Sequence, residues 1–503
     1  MRDVWAGGKS FAACPFFVVN PTRQMFVFYA IVPVMSRRAY FYGGTLVLEG
    51  VAAEEIDLPE VFLWRHGKWR TEAYRYSDLL SWLRQSTIHD TIPRWQALNY
   101  TLHDRRQPHD YQAEALVAWQ QAGWRGSIVL PTGAGKSYVA IRAIHKINRS
   151  AAIVAPTIDL LHQWYRLLSH AFGTEIGVYY GGEKIIQPLT VTTYSSFANL
   201  MAEYGNFYKL LILDEAHRAG SPAFGEGAVM SAAPARLGLT ATYPTEEEQR
   251  GAGRWRIDEL LGGPIVYALT ADDLVGEQLA TYRTQRIRID LTTDERQIYE
   301  REFARYMGYV RRQNLQHRFG PNWLYELQRL AAREEEARAA LLARQRVSRL
   351  LAGCQGKLQA LDELLHEHMH DQVVIFTEAN QVAYKIAHTY FLPVITHLSS
   401  ALERKEILDG FQQGRYKAVV TSRVLDEGVD LPSAKIAIIL GGTAGARQYI
   451  QRRGRVLRKV ESKEAVLYEI FARGTSEEGK VQRRRAAVRQ QGEEISRVNR
   501  RSD

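Results

Sequence analysis

A glycine-rich segment, Pro131–Ser137, has the residue types and spacing of a phosphate-binding loop. The apolar run Ser127–Leu130 comes before this segment and predicts a short buried strand. The residues after it have apolar side chains at the spacing of a helix. Glycines let backbone amides curl around an anion, and the N-terminal end of the following helix adds positive charge. We expect Lys136 to reach the β- and γ-phosphates and Ser137 to bind Mg²⁺. The residues predicted to bind the nucleotide here are Pro131, Thr132, Gly133, Ala134, Gly135, Lys136 and Ser137.

Two carboxylates, Asp214 and Glu215, follow another apolar run, Leu211–Leu213. Side chains in that position emerge at the carboxyl edge of a parallel sheet, where open α/β sheets bind their ligands. We expect Asp214 to hold Mg²⁺ together with Ser137, and Glu215 to accept a proton from the water that attacks the γ-phosphate. Together with the loop, this pair predicts a site that hydrolyses ATP with Mg²⁺.

Short apolar runs alternate with helical patterns in two separate stretches of the chain, which predicts two α/β domains built on parallel sheets. The runs of the first stretch are 127–130, 151–155, 189–193, 210–213 and 237–240. The runs of the second are 373–376, 418–421, 436–439 and 465–468. A phosphate loop precedes a helix in the first stretch but not in the second, so we expect the first domain to carry the nucleotide.

The 503 residues are too many for one hydrophobic core, and changes of pattern divide the chain into successive segments. We predict an N-terminal extension of uncertain status at 1–34, a small α+β domain at 35–97, a first α/β domain at 98–275, a charged helical insert at 293–348, a second α/β domain at 353–473 and a basic tail at 474–503. The apolar run Met25–Met35 is too short to span a bilayer, so we expect no attachment to a membrane.

Charge and cysteine content narrow the class of protein further. The formal net charge is +10 and the pI is about 9.4, which in an ATP hydrolase suggests a polyanionic partner, nucleic acid first. Many enzymes without such a partner are equally basic, so charge alone does not decide. Cys14 and Cys354 are far apart and form no zinc ribbon, disulfide framework or four-cysteine cluster. A reducing cytoplasm, beside the nucleoid, is the expected location.

The order of these motifs resembles that of superfamily 2 helicases, with Asp214–His217 as the DEAH motif. Over residues 40–475 the chain is similar to the archaeal and bacterial XPB DNA repair helicases. The resemblance implies an α/β fold of two RecA-like parallel-sheet domains in tandem, with a small N-terminal α+β domain that recognises DNA or its damage and a helical thumb-like insert. It also implies that Gln112, in the segment Asp110–Gln112, reads the edge of the adenine.

Two further motifs of the resemblance lie in the second domain, at 421–432 (motif V) and 451–458 (motif VI). It implies that Gly428 and Asp430 bind the nucleotide, and that Gln451, Arg455 and Arg458 are catalytic. Arg455 and Arg458 would act as arginine fingers, which spread the negative charge that develops on the γ-phosphoryl oxygens. Because they belong to the second domain, they would act only when the cleft between the domains is closed.

Hydroxyl and backbone amide groups in other helicase motifs suit the phosphates of a DNA strand, which carry no sequence information. The resemblance assigns this role to Pro156, Thr157, Thr192, Thr193, Thr421 and Ser422. It implies an ATP-dependent DNA helicase or translocase of 3′→5′ polarity that opens or distorts duplex DNA in nucleotide excision repair, beside a nuclease partner.

The chain departs from the XPB pattern at two places. His109 stands where the family has an arginine, and Tyr243–Glu248 stands where it has an Arg-Glu-Asp triplet implicated in opening DNA. The second departure leaves open a translocase that tracks duplex DNA without separating its strands. An assembly factor for a repair nuclease that uses ATP only as a latch is a further alternative, and RNA remains open as the track.

Overall fold

The computed structural model describes most of the chain. The described residues are 11–19, 25–33, 37–51, 57–221, 223–244, 249, 255–270, 272–274, 282–320, 323–422, 434–441 and 465–482. Five predicted site residues lie outside them, namely Gly428, Asp430, Gln451, Arg455 and Arg458. None of the described helices is long and apolar enough to cross a membrane.

A small α+β unit precedes the large sheets. Within residues 37–51 and 57–90 its strands lie side by side in the order Leu63–Arg65, Lys68–Glu72, Thr45–Glu49, Arg38–Tyr42 and His89–Asp90. The helix Tyr76–Gln85 packs on this sheet because its apolar positions fall on one face, where Leu79 and Leu83 are buried. His66 and Gly67 form the turn of a tight hairpin, both with positive φ, as two-residue hairpin turns require.

Ahead of this unit, Phe11–Val19 pairs with Met25–Pro33 as an antiparallel hairpin. The apolar run that the sequence shows to be too short for a bilayer is therefore largely a β-strand.

The first large sheet carries the predicted phosphate loop. Its strands within the described residues run in the order Glu183–Ile185, Gly177–Tyr180, Leu189–Thr193, Ala151–Ala155, Leu210–Asp214, Ala235–Thr240, Arg125–Val129 and Ile265–Ala268. All neighbours are parallel except the edge pair formed by the first two of these strands. Within the described residues, the α-helices of this domain are Asp110–Gln121, Lys136–Ile147, Ile158–Phe172, Tyr194–Tyr204, Glu226–Val229 and Ile257–Leu261.

The second large sheet is parallel throughout its described strands. Their order is Tyr282–Ile289, Ala465–Ala472, Ile436–Leu440, Val373–Phe376, Ala418–Thr421 and Val394–Ile395. The helices Gln355–Glu367, Asn380–Tyr390 and Ala401–Gln412 pack against it. Two tandem domains with parallel sheets confirm the predicted fold class.

The strand Tyr282–Ile289 precedes the helical insert in sequence, yet it pairs along its whole length with Ala465–Ala472 at the end of the second domain. The sequence pattern placed this strand in neither domain. The sheet of the second domain therefore contains strands that precede the insert in sequence as well as strands that follow it. Its first strand lies before the predicted boundary at 353.

Between these two parts of the sheet lies the helical insert, whose helices are Thr293–Arg312, Leu315–Phe319, Trp323–Ala331 and Glu335–Gly353. Thr292 and Glu295 form a capping box that starts the first helix, since each side chain accepts from the backbone amide of the other. The insert has a hydrophobic cluster of its own, centred on Tyr309, Leu327 and Ala340. Its helices therefore pack largely on one another, while the inner ends of the two long helices contribute Tyr299 and Leu351 to the core of the second sheet.

Candidate active site

Five neighbouring parallel strands bring the predicted motifs of the first domain to one edge of its sheet. Their carboxyl ends are, in spatial order, Thr193, Ala155, Asp214, Thr240 and Val129. Because the strands are parallel, these ends share one edge, where open α/β sheets bind ligands. The predicted catalytic motifs lie at one side of this edge and the predicted DNA motifs at the other.

The phosphate loop curls at the N-terminus of the helix Lys136–Ile147. Gly133 and Gly135 have φ values of 92° and 75°, in the left-handed region that favours glycine. A Cβ on Gly135 would lie 2.4 Å from Gln112 Nε2, so a larger residue would not fit without movement there. Lys136 Nζ donates to the carbonyl oxygens of Leu130 and Pro131, at 3.1 and 3.3 Å, so its ammonium folds back over the loop.

Two buried side chains hold the loop from the helix Asp110–Gln121. Gln112 Nε2 and Tyr111 OH both donate to the carbonyl oxygen of Ala134, at 3.0 and 2.9 Å. Gln112 Oε1 accepts from the backbone amide of His109 at 3.1 Å. Both ends of the Gln112 amide are therefore engaged with the backbone. Its predicted contact with adenine remains a prediction, and making that contact through Nε2 would require a rearranged amide.

The Asp214 carboxylate is fixed by one donor on each oxygen. Trp164 Nε1 donates to Oδ2 at 2.9 Å, and the backbone amide of Glu215 donates to Oδ1 at 3.0 Å. Burial raises the pKa of Asp214 to about 6, the charge of Glu215 adds to the rise, and Trp164 and the Lys136 charge oppose it. A buried carboxylate within the field of the loop lysine suits a divalent cation, which would supply the missing positive charge.

Glu215 has a strained backbone and a side chain tied to the next strand. Its φ of 50° is left-handed, a conformation that costs a residue with a Cβ about 1–3 kcal/mol and is concentrated at functional sites. Glu215 Oε2 lies 3.4 Å from Thr240 Oγ1 and 3.4 Å from His217 Nδ1, and that nitrogen lies 3.1 Å from Thr240 Oγ1. Thr240 Oγ1 donates its single proton to the carbonyl oxygen of Thr242 at 2.8 Å, so Glu215 Oε2 lies beside this hydroxyl without receiving that proton. The predicted base is thus connected to the segment 239–242.

Two residues that support the site were not predicted to do so. Tyr194 OH donates to the carbonyl oxygen of Asp214 at 3.0 Å and lies 3.4 Å from that of Glu215, while Trp164 holds the Asp214 side chain. The position of Tyr194 directly after the strand end at Thr193 was a usable signal, because such residues face the same edge. The sequence around Trp164 does not indicate its contact with Asp214, because Trp164 lies inside an amphipathic helix and 50 residues from that partner.

The residues predicted to contact DNA divide into accessible and buried ones. Pro156 and Thr157 are partly exposed, and Thr157 Oγ1 caps the helix Ile158–Phe172 by accepting from the amide of Leu160 at 3.3 Å. Arg218 Nη1 approaches the carbonyl oxygen of Pro156 at 3.4 Å, which connects this segment to the one that carries the carboxylates.

The side chains of Thr192 and Thr421 are fully buried. Thr192 Oγ1 donates to the carbonyl oxygen of Tyr179 at 2.7 Å, and Thr421 Oγ1 donates to that of Ser422 at 2.8 Å. Both hydroxyls therefore bond the protein's own backbone, and a contact of either residue with DNA stays a prediction that would use backbone amides. Thr193 and Ser422, the other two predicted contacts here, are each at least nine-tenths buried, so they offer DNA little side-chain surface.

The residues of the loop fit a nucleotide phosphate with Mg²⁺. Thr132 Oγ1 is a buried hydroxyl oxygen with no hydrogen-bond partner among the described residues, and it lies in the loop where a phosphate would supply one. Ser137 is the second residue of the helix that Lys136 begins, and a hydroxyl and a carboxylate are oxygen donors that Mg²⁺ takes from proteins. We therefore expect Ser137 and Asp214 to hold the metal.

Three family models match the chain. Residues 40–89 match "Xeroderma pigmentosum group B helicase damage recognition domain", residues 105–245 match "Type III restriction enzyme, res subunit", and residues 356–460 match "Helicase conserved C-terminal domain". The first covers the small α+β unit, and the other two cover most of the two parallel-sheet domains.

Two relatives found by sequence agree with the family models. The chain is 37% identical over 420 residues to "DNA 3′-5′ translocase XPB2" of Sulfurisphaera tokodaii, covering 82% of this chain and 92% of the relative. It is 27% identical to "DNA 3′-5′ helicase XPB" of Mycobacterium tuberculosis, over 77% of this chain and 64% of the relative. The helicase domain of Hef from Pyrococcus furiosus aligns with 77% of this chain and 100% of its own length, with a TM-score of 0.48 and 19% identity.

Two parallel-sheet domains, a phosphate loop and an Asp-Glu pair at one sheet edge define the class of superfamily 2 helicases. Within that class, the chain belongs to the XPB-type helicase family.

Proposed function

We propose that this chain is a DNA-dependent ATPase that moves along DNA with 3′→5′ polarity and opens or distorts the duplex during excision repair. The observation that carries the proposal is the convergence of Lys136, Asp214 and Glu215 at one sheet edge, with the lysine charge acting on the Asp214 carboxylate. Relatives of the chain are named "DNA 3′-5′ translocase XPB2" and "DNA 3′-5′ helicase XPB", which supports the proposed polarity.

The residues of the first domain have distinct roles in this proposal. Loop amides and Lys136 bind the phosphates, and Ser137 and Asp214 hold Mg²⁺, which would neutralise charge on the phosphate oxygens. Glu215 takes a proton from the attacking water, and its carboxylate lies beside the Thr240 hydroxyl and the His217 ring. Because Thr240 also bonds the backbone of Thr242, a change at the carboxylate on turnover would reach the segment that follows the strand.

Motifs V and VI complete the proposed machinery from the second domain. Arg455 and Arg458 would approach the γ-phosphate when the domains close on ATP, and their withdrawal after hydrolysis would let the domains separate. Repeated closing and opening would advance the protein along one strand of DNA. We place the protein in the cytoplasm with the chromosome, and include a repair nuclease among its proposed partners.

Substitution of Glu215 tests the proposed chemistry. Glu215→Gln keeps the size of the side chain and removes its basicity, so we expect ATP to bind and turnover to fall by about 10²–10⁴-fold. Lys136→Ala should instead weaken ATP binding. Glu183→Gln is the matched control, because Glu183 is an exposed glutamate on the edge strand of the same sheet.

Turnover should be measured with single-stranded, duplex and forked DNA and with RNA. Persistent DNA-dependent turnover in Glu215→Gln would show that another group is the base. Equal stimulation by RNA and DNA would remove DNA as the specific track.

A translocase that does not separate strands is the second candidate. Tyr243–Glu248 carries no arginine, and the relative with 37% identity is named a translocase. A strand-displacement assay beside a triplex-displacement assay separates the two activities. Triplex displacement without strand displacement, at equal ATP turnover, would favour this candidate.

A further inference from the structure

The helix Ile158–Phe172 connects two parts of the sheet edge that function separately in the proposal above. Its first residue follows Thr157, whose hydroxyl caps the helix and lies in the segment predicted to contact DNA. Two turns later the same helix presents Trp164 to Asp214, the carboxylate expected to hold Mg²⁺. One rigid element therefore spans from the DNA side of the edge to the metal side.

The contact between Trp164 and Asp214 is well enclosed. Trp164 is 2% exposed and Asp214 is 9% exposed, and indole Nε1 lies 2.9 Å from Oδ2. An indole N–H can only donate, and a hydrogen bond to a charged acceptor is about twice as strong as one between neutral groups. Any shift of the helix thus moves or weakens a donor on a carboxylate whose other oxygen is held by the Glu215 amide.

We propose that Trp164 is a positioning residue that orients the Asp214 carboxylate for Mg²⁺ and transmits DNA occupancy at the start of the helix Ile158–Phe172 to the metal site. The proposal rests on the assigned role of Asp214 in ATP hydrolysis. Through this helix, DNA binding would lower the Mg²⁺ concentration that the ATPase needs. Removing a group that hydrogen-bonds to a metal ligand and orients it typically lowers metal affinity or activity by about 10–100-fold.

Trp164→Phe keeps an aromatic ring and removes the Nε1 donor, so it is the primary variant. Trp119→Phe is a matched control within the same domain. Trp119 is fully buried, and its Nε1 also donates a single bond, to the backbone carbonyl of Arg236 at 3.0 Å. Both substitutions therefore remove one buried indole and one hydrogen bond, but only one of them touches Asp214.

The first readout is the Mg²⁺ concentration for half-maximal binding of a fluorescent, non-hydrolysable ATP analogue, followed by its anisotropy without turnover. We expect Trp164→Phe to raise this concentration by roughly tenfold or more, and Trp119→Phe to leave it within about twofold. Equal changes in both variants, or none in Trp164→Phe, would overturn the positioning role.

The second readout is the effect of DNA on the same titration. In the native chain, saturating single-stranded DNA should lower the Mg²⁺ requirement, and in Trp164→Phe this shift should disappear although DNA still binds. If DNA lowered the Mg²⁺ requirement of Trp164→Phe as much as that of the native chain, Trp164 would not connect DNA binding to the metal site. Combining Trp164→Phe with Asp214→Asn should add nothing to the Mg²⁺ effect of Asp214→Asn alone, because the indole then has no carboxylate to orient.

Failure of the assigned ATPase site gives a different result from failure of this inference. If Asp214→Asn itself left Mg²⁺-dependent nucleotide binding unchanged, the role of Asp214 would be wrong. If Asp214→Asn abolished that dependence and Trp164→Phe did not alter it, only the inference about Trp164 would be wrong.

Discussion

Arg404 of the second domain donates through Nη1 to Asp159 Oδ2 of the first domain at 3.0 Å. Arg404 Nε is held from its own side by the carbonyl oxygen of Ser399 at 2.9 Å. Asp159 lies in the first turn of the helix Ile158–Phe172, where the positive end of the helix favours a carboxylate. An ion pair thus joins the two domains at the helix that also carries Trp164, so their relative position and the metal site share one element.

Charge reversal at this pair should change how often the domains adopt the described arrangement. Arg404→Asp or Asp159→Arg alone places like charges together, while the double exchange restores an opposite pair. Because both side chains are partly exposed, we expect a contribution of about 0.2–1 kcal/mol that weakens with salt. Single-molecule energy transfer between dyes at the exposed positions Glu183 and Lys385 measures the effect.

A control for this exchange is Arg415→Asp, because Arg415 is an exposed arginine of the second domain that donates to Gln413 of the same domain. It should leave the distance distribution unchanged. If the double exchange changed the distance distribution by the sum of the changes in the two single reversals, the ion pair would have no part in holding the domains.

Removing the hydroxyl of Thr240 should slow hydrolysis more than it weakens ATP binding. Thr240→Val keeps the shape of the side chain and removes the group that contacts Glu215, His217 and Thr242. Since the hydroxyl bonds the Thr242 backbone and lies next to the Glu215 carboxylate, we expect turnover to fall by up to about tenfold. The measurement is kcat and KM for ATP at saturating DNA.

Thr190→Val is the matched control for Thr240→Val. Thr190 is a fully buried strand threonine whose hydroxyl donates to the carbonyl oxygen of Gln187 at 2.7 Å and accepts from its amide at 3.1 Å. It should lower thermal stability without a selective loss of kcat. A similar loss of kcat in both variants would mean that Thr240 supports the fold and not the base.

Much of the fold and of the catalytic edge could be predicted because buried parallel strands are unbroken apolar runs. Ala151–Ala155 and Val373–Phe376 have the bounds that the sequence predicts, since both faces of these strands are covered. The convergence of Lys136 and Asp214 follows from the same pattern, because residues after parallel strands meet at one edge.

The remaining features depend on contacts between distant parts of the chain. Tyr282–Ile289 carries three arginines among its eight residues, and nothing local shows that its partner is Ala465–Ala472. The contact of Trp164 with Asp214 likewise arises only once the helix packs on the sheet. The predicted buried strand at 189–193 agrees with the burial of Thr192, but the motif alone does not show that its hydroxyl bonds the carbonyl oxygen of Tyr179.

Gln112 can be tested for two roles that the structure separates. Gln112→Ala should raise KM for ATP and GTP because it removes a donor to Ala134, and it should also lower the preference for ATP if the amide reads adenine. Tyr111→Phe removes the neighbouring donor to the same carbonyl and serves as the control. We expect Tyr111→Phe to affect both nucleotides equally. Equal effects on ATP and GTP in Gln112→Ala as well would contradict adenine recognition and leave only support of the loop.

Arg455 and Arg458 are predicted to act on the transition state, so their loss should affect kcat and spare ATP binding. A guanidinium that stabilises the transferring phosphoryl group is worth about 10³–10⁵ in rate, and we expect Arg455→Ala and Arg458→Ala each to lower kcat by about 10³ or more. Affinity for a non-hydrolysable ATP analogue should change by less than about tenfold, because the loop residues lie in the other domain. Arg415→Ala is the matched control on the second domain. A variant that lost ATP affinity and kcat in equal proportion would instead identify a binding arginine, and one with full kcat would exclude that residue as an arginine finger.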